Sequence, residues 1–152
     1  MNALAPLLHD EDIVLDADVA NRDELFAVVA HLLAVRHGLN ERDVLSALLA
    51  REQLGSTAMG GGIAIPHARM PRLREPACAF IRTRKPIAFD APDHKPVSEF
   101  LVLLVPNEAN EVHLQLLASA AGALSDSSFR GDLSRCARCD EVRERFASWE
   151  AT

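Results

Sequence analysis

The sequence predicts an α/β fold in which a mixed sheet is covered by helices on both faces. Three observations carry this. Two stretches with apolar residues at helical spacing precede Gly55, continuous apolar runs of strand length fill the middle, and helical spacing returns after Asn110.

The elements follow in order. Ile13-Val14-Leu15 is a short apolar run bounded by acids and reads as one strand. Asn21 to Arg36 reads as a helix. Asn21 can cap it, Glu24 holds the capping-box position, and Leu25, Val28, Val29, Leu32 and Leu33 form its apolar face. Gly38 fits the stop position. A second helix spans Glu41 to Glu52, capped by Asn40, with Val44, Leu45, Leu48 and Leu49 as its apolar face. The short joint between the two implies a helical hairpin.

Leu54 to Gly62 holds four of the seven glycines and is therefore read as a loop. Ile63 to Ile65 reads as a strand ended by Pro66. Ala77 to Thr83 is a strand, and Ile87 to Phe89 is a shorter one or a turn with apolar anchors. Phe100 to Val105, closed by Pro106, has the continuous apolar character of a strand buried on both faces. Asn110 to Leu124 reads as a helix with Leu114, Leu117, Ala118, Ala121 and Leu124 on one side. Two short helices follow, near Ser128 to Leu133 and Asp140 to Trp149.

Composition narrows the function classes. The 152 residues are 49% hydrophobic and carry a net charge of −6, with seven aromatics in all, which argues for a globular domain and against a general nucleic-acid binder. No apolar run reaches membrane-span length, and the apolar stretch Met1 to Leu8 is too short for a signal segment and lacks a basic flank. Three cysteines imply no disulfide framework, so a reducing, cytoplasmic setting is expected.

Several residue groups can carry chemistry. Glycines let backbone amides approach an anion, but no Gly-Lys-Ser/Thr follows them and a strand, not a helix, comes next. On its own this stretch reads more readily as a tight turn. His67 lies just past a strand end, where functional residues collect. Arg69, Arg72, Arg74, Arg82, Arg84 and Lys85 follow, opposed between Arg69 and Lys85 only by Glu75. Imidazole nitrogen as nucleophile, with guanidinium donors for phosphate oxygens, suits phosphoryl chemistry; solvated surface charge is the plain alternative. His113 falls in the first turns of a helix, where the positive end favours anions and neutral imidazole. Arg51 ends the second helix beside the glycines. Cys136 and Cys139 have C-x-x-C spacing, but no second ligand pair and no thioredoxin-like context accompany them. No metal or cofactor is expected.

The run Arg51-Glu52-Gln53-Leu54-Gly55-Ser56-Thr57, with Gly60 and Gly62-Ile63-Ala64-Ile65-Pro66-His67, closely resembles the signature of the phosphotransferase-system IIA proteins of the fructose/mannitol type. Pro86-Ile87-Ala88-Phe89-Asp90-Ala91-Pro92, Pro96-Val97, and Leu103-Leu104-Val105-Pro106 followed by His113-Leu114 are similar to that family too. The nearest likeness is to its nitrogen-regulatory branch. Ala58 and Met59 stand where Gly and Ile are usual, Gly61 where Asn is common, and Ala68 where Gly often follows the histidine.

The resemblance implies a three-layer α/β/α sandwich with a central mixed sheet, forming a single EIIA-type domain over residues 1–152. It implies phosphorylation of His67 through Nε2, with His113 as second active-site histidine and Arg51 as support for the phosphate. Gly55, Ser56, Thr57, Gly60 and Gly62 would form a phosphate-binding loop. The implied donor is a phosphocarrier of the HPr type, charged by an enzyme I from phosphoenolpyruvate. Neutral imidazole would attack phosphorus in line through a loose transition state that needs positioning and electrostatic support. Two roles follow. One is a regulator whose phosphorylation state alters docking on target proteins. The other is a sugar-specific component that hands phosphate to a IIB domain.

Overall fold

The computed structural model describes residues 3–108 and 110–150; Met1 and Asn2, at the head of the apolar N-terminal stretch, lie outside them. The rest of that stretch is core: Leu4 and Leu8 are fully buried. A 3-10 turn, Asp10–Asp12, leads into β1 (Ile13–Ala17).

Helix α1 (Arg22–His37) starts where the Asn21 side chain accepts the Glu24 N–H at 2.9 Å. It stops at Gly38, whose φ of +66° suits a residue without Cβ. Helix α2 (Glu41–Leu54) starts at Asn40, which accepts the Asp43 N–H. The buried side of α1 is Leu25, Phe26, Val29, Ala30, Leu33 and Ala34. The expected face is thus turned: Val28 is 36% exposed, and Phe26 takes the core position. Phe26 stacks edge-on with Phe89, and Phe89 with Phe100, which fixes the rotation of α1.

Among the described residues the sheet has six strands in the order β1-β5-β6-β3-β2, with β4 also paired to β6. These are β2 (Ala58–Gly60), β3 (Ile63–Ala64), β4 (His67–Met70), β5 (Ala77–Ile87) and β6 (Val97–Pro106). The pairs β1/β5, β3/β6 and β4/β6 are parallel, whereas β2/β3 and β5/β6 are antiparallel. The expected mixed sheet is present, with three corrections. The glycine-rich stretch contains β2. His67 opens a strand, β4, instead of following one in a loop. Ile87 ends a long β5, and Phe89 is a buried anchor just beyond it. Pro86 is accommodated because the β5/β6 register shifts between Arg82 and Ile87.

Strand alternation feeds two cores. Ala79, Ile81, Phe100, Val102 and Leu104 face α1 and α2. Cys78, Phe80, Leu101 and Leu103 face α3 (Glu111–Ser125), α4 (Ser127–Ser134) and α5 (Cys139–Ser148). Phe146 packs edge-on to Phe80 and Phe129 there. Each fully buried Phe or Leu contributes about 1.5–3 kcal/mol. The core face of α3 is Leu116, Ala120, Ala123 and Leu124; the expected Leu114 is 58% exposed and Ala118 is exposed. This helix is apolar on several sides, so periodicity could not choose the side that meets the sheet.

Two Arg–carboxylate tethers brace the layers. Arg36 of α1 donates to Asp12 at 2.8 Å, and the His9 N–H donates to the other oxygen. Burial pushes the Asp12 carboxyl up, but these bonds outweigh it and hold it below the usual carboxylate range. On the other face, Arg82 donates to Glu99 and to the carbonyls of Leu133 and Cys136, pinning the end of α4 to the sheet. Burial pushes the Glu99 carboxyl above its usual range despite Arg82.

Candidate functional site

His67 is the first residue of β4 and is half-buried. Its Nδ1 lies 2.8 Å from the Ile65 carbonyl oxygen. A carbonyl can only accept, so Nδ1 carries the proton and the neutral ring presents a bare lone pair at Nε2. The contact is local: β3 and β4 run beside β6 in one register, and Pro66, between them, leaves the His67 ring two residues from the carbonyl it meets.

His113 has the opposite arrangement. It sits in the first turn of α3, where Asn110 Oδ1 accepts the His113 N–H at 3.1 Å and the Asn110 N–H points at His113 Nδ1 at 3.2 Å. Nδ1 is therefore the acceptor, and the neutral ring carries its proton on Nε2. One histidine offers a nucleophilic nitrogen; the other offers a donor at the positive end of a helix.

Topology puts both on one side of the sheet. His67 pairs with Leu103 in parallel register, so the two side chains share a face. Leu103 belongs to the core beneath α3–α5. At the carboxyl ends of β4 and β6, the Met70 carbonyl accepts from both Leu73 and Asn107 N–H. There His113, Arg74 and Asn107 line a polar cavity of about 400 Å³. No hydrogen bond joins the rings of His67 and His113 among the described residues.

Arg51 is half-buried at the end of α2 and donates from Nη1 to the Gly55 carbonyl at 3.0 Å. The next residue, Glu52, is 4% exposed. Its carboxylate accepts the Thr57 N–H at 2.8 Å and the Thr57 hydroxyl at 2.7 Å. Ser56 donates its hydroxyl to the Phe89 carbonyl and accepts the Ala58 N–H. Gly55–Thr57 is thus a braced arm between α2 and β2.

Gly60, Gly61 and Gly62 have φ of +89°, +68° and +80° and make the tight turn between β2 and β3. Asp93 accepts the Gly61 N–H at 3.0 Å, and the N–H groups of Gly61 and Lys95 hold its carboxyl below the usual range. A Cβ on Gly61 would lie 3.0 Å from Arg130 Nε, so a larger residue there would require the Arg130 side chain to shift. The amides of Thr57, Ala58 and Gly61 already have acceptors within the protein. Glu52 and Asp93 are the residues that sequence reasoning missed as loop braces. A Glu at the end of a helix five residues before a Thr was the only signal for the first.

The cysteine pair diverges. Cys136 Sγ points to the Asp132 carbonyl and Cys139 Sγ to the Ile13 carbonyl. Burial pushes both thiols above their usual range. Among the described residues no group of three His, Cys, Asp or Glu could hold a metal ion, and no helix is long and apolar enough to cross a membrane.

Comparison with known proteins adds the relatives. A nitrogen regulatory protein of Klebsiella oxytoca is 34% identical over 139 residues, 91% of this chain and 85% of that protein. A fructose-specific EIIA component of Haloferax volcanii is 34% identical over 148 residues, 97% of this chain and 94% of that one. The crystal structure of the nitrogen regulatory protein IIA-Ntr from Neisseria meningitidis superposes with a TM-score of 0.90 at 43% identity, covering 94% of this chain and 98% of that one. The family model described as phosphoenolpyruvate-dependent sugar phosphotransferase system, EIIA 2, matches residues 6–149, and the chain belongs to that family.

Proposed function

We propose that this chain is a phosphoryl-carrier regulator of the nitrogen-regulatory type, working as a single EIIA unit over residues 1–152 in the cytoplasm. It takes a phosphoryl group onto His67 from a phosphocarrier of the HPr type, which enzyme I charges from phosphoenolpyruvate. Its phosphorylation state then alters its docking on target proteins. The observation that carries this reading is the His67 Nδ1–H bond to the Ile65 carbonyl, which leaves Nε2 as the one basic ring nitrogen.

In this mechanism Nε2 attacks the phosphorus of the donor phosphohistidine. The new P–N bond forms as the donor's P–N bond breaks, and the electron pair returns to the donor ring. The Ile65 carbonyl supports the positive charge that the His67 ring acquires. His113 Nε2–H donates to a phosphoryl oxygen, and Arg51, released from or sharing the Gly55 carbonyl, supports another. Gly55, Ser56, Thr57, Gly60 and Gly62 shape the phosphate-facing loop, with the Glu52 brace fixing the arm.

Mixing the protein with phosphoenolpyruvate, enzyme I and an HPr-type carrier tests this. Acid-labile phosphate on the wild type, absent from His67→Ala by intact mass, is the expected result. Labelling of the variant would move the acceptor role to His113. A second reading, a sugar-specific component, draws on the fructose-specific relative at 34% identity, against 34–44% for nitrogen regulatory relatives. Transfer to a fructose-type IIB protein with sugar phosphorylation distinguishes it.

A further inference from the structure

Strand β4 is a margin of the sheet. At Leu103 and Leu104, β6 has β5 on one flank and β4 on the other. The arm before β2 reaches only as far as Thr57, whose carbonyl takes the Ile65 N–H. Pro66 and Met70 accept from Leu103 and Asn107 N–H, so the even-numbered residues of this stretch bond β6. In a parallel ladder the intervening residues point both N–H and C=O the other way. His67 and Arg69 therefore present main-chain groups outward.

A groove of about 810 Å³ opens at the carboxyl end of this margin, lined by Arg69, Met70 and Arg72 on one side and by Asn40 and the α2 residues Asp43 and Ser46 on the other. Both arginines are exposed, and among the described residues no carboxylate pairs with either. Arginines on a margin repel a second copy of the same edge, so they discourage self-pairing. They favour an acidic strand in its place.

We propose that the β4 margin and its groove dock an extended, acidic segment of a partner protein, which adds as a strand beside His67–Met70. Main-chain bonds at Arg69 supply attachment, and its acidic side chains meet Arg69 and Arg72. This goes beyond the carrier reading, since it needs no phosphate on His67.

The probe is an eight-residue peptide of alternating Glu and Val, set against its Lys–Val counterpart. The acidic peptide is expected to bind at least ~10-fold tighter than the basic one, and less tightly at high salt. Arg72→Ala is expected to weaken it at least ~5-fold. Arg69→Pro removes an outward N–H without touching the ladder to β6, and weakens binding while far-UV circular dichroism is unchanged. Amide exchange needs no variant: in the free protein Arg69 exchanges faster than Ala68 and slows when the acidic peptide is bound. Equal binding of the two peptides, no binding of either, or an Arg69 amide as protected as Ala68 in the free protein overturns the proposal.

Discussion

The two helical layers cover the sheet in different ways. The α1–α2 layer closes itself locally: Asn21, Asn40 and Gly38 satisfy helix ends within a few residues, and Phe26, Phe89 and Phe100 interlock beneath. The α3–α5 layer has local caps too, at Asn110 and Asp126, but it also hangs on a distant tie, Arg82 reaching the carbonyls of Leu133 and Cys136. Both histidines of the candidate site belong to this second side. The tethers contrast in sign as well: Asp12 is held below the usual carboxylate range, Glu99 above it. Arg36 of the first layer bonds a carboxylate, whereas Arg82 bonds a carboxylate and two main-chain carbonyls, so the second layer has more to lose at a single residue.

Breaking the comparison starts at Arg82. Arg82→Ala strands Glu99 and two carbonyls and is expected to cost about 3–5 kcal/mol, read as a lower urea midpoint. Removing the donor in the same layer, His113→Ala, is expected to slow phosphoryl acceptance by about 10²–10³-fold, while His113→Gln, which retains an N–H donor, loses less. Rapid-quench labelling measures both; an unchanged rate for the alanine variant would remove His113 from the mechanism. On the opposite layer, Asp12→Asn is expected to cost about 1–2 kcal/mol at neutral pH. Because the folded pKa of Asp12 is depressed, that stability is present above the unfolded value and lost as pH falls through the folded one. The gap between wild type and Asp12→Asn therefore closes in acid. Glu99, with a raised folded pKa, has the opposite linkage: wild type gains on Glu99→Gln as pH falls. Urea titrations across pH compare the two directly. The smallest effect is Gly38→Ala, about 1 kcal/mol from strain at φ +66°.

Legibility in the sequence follows the same division. Asn21, Asn40 and Gly38 marked helix ends correctly because a cap is a contact between near neighbours. The apolar run Phe100–Val105 marked the centre of β6 for a similar reason, since burial on both faces is written in composition. Strand β4 escaped notice because His-Ala-Arg-Met has no strand pattern of its own; pairing with β6 makes it extended. The turned faces of α1 and α3 escaped because Phe26 and Leu116 are chosen by what lies across the sheet. In the site, His67 and His113 were legible as a strand-end and a first-turn histidine, but the proton positions follow from Ile65 and Asn110 in three dimensions. Glu52 and Asp93 hold the glycine arm and turn through bonds that motif reading does not register.

The Ile65 carbonyl also bears on reversibility. In the proposed carrier, a phosphoryl group on Nε2 departs as the ring passes from cationic to neutral. A carbonyl fixed on Nδ1–H keeps the ring's proton in place through both states, so no proton need be fetched or discarded in either direction. Loading and unloading then traverse the same path in opposite directions. Such a carrier equilibrates with its donor, and its charge level reports the upstream ratio of phosphorylated to free carrier as a gauge reports pressure.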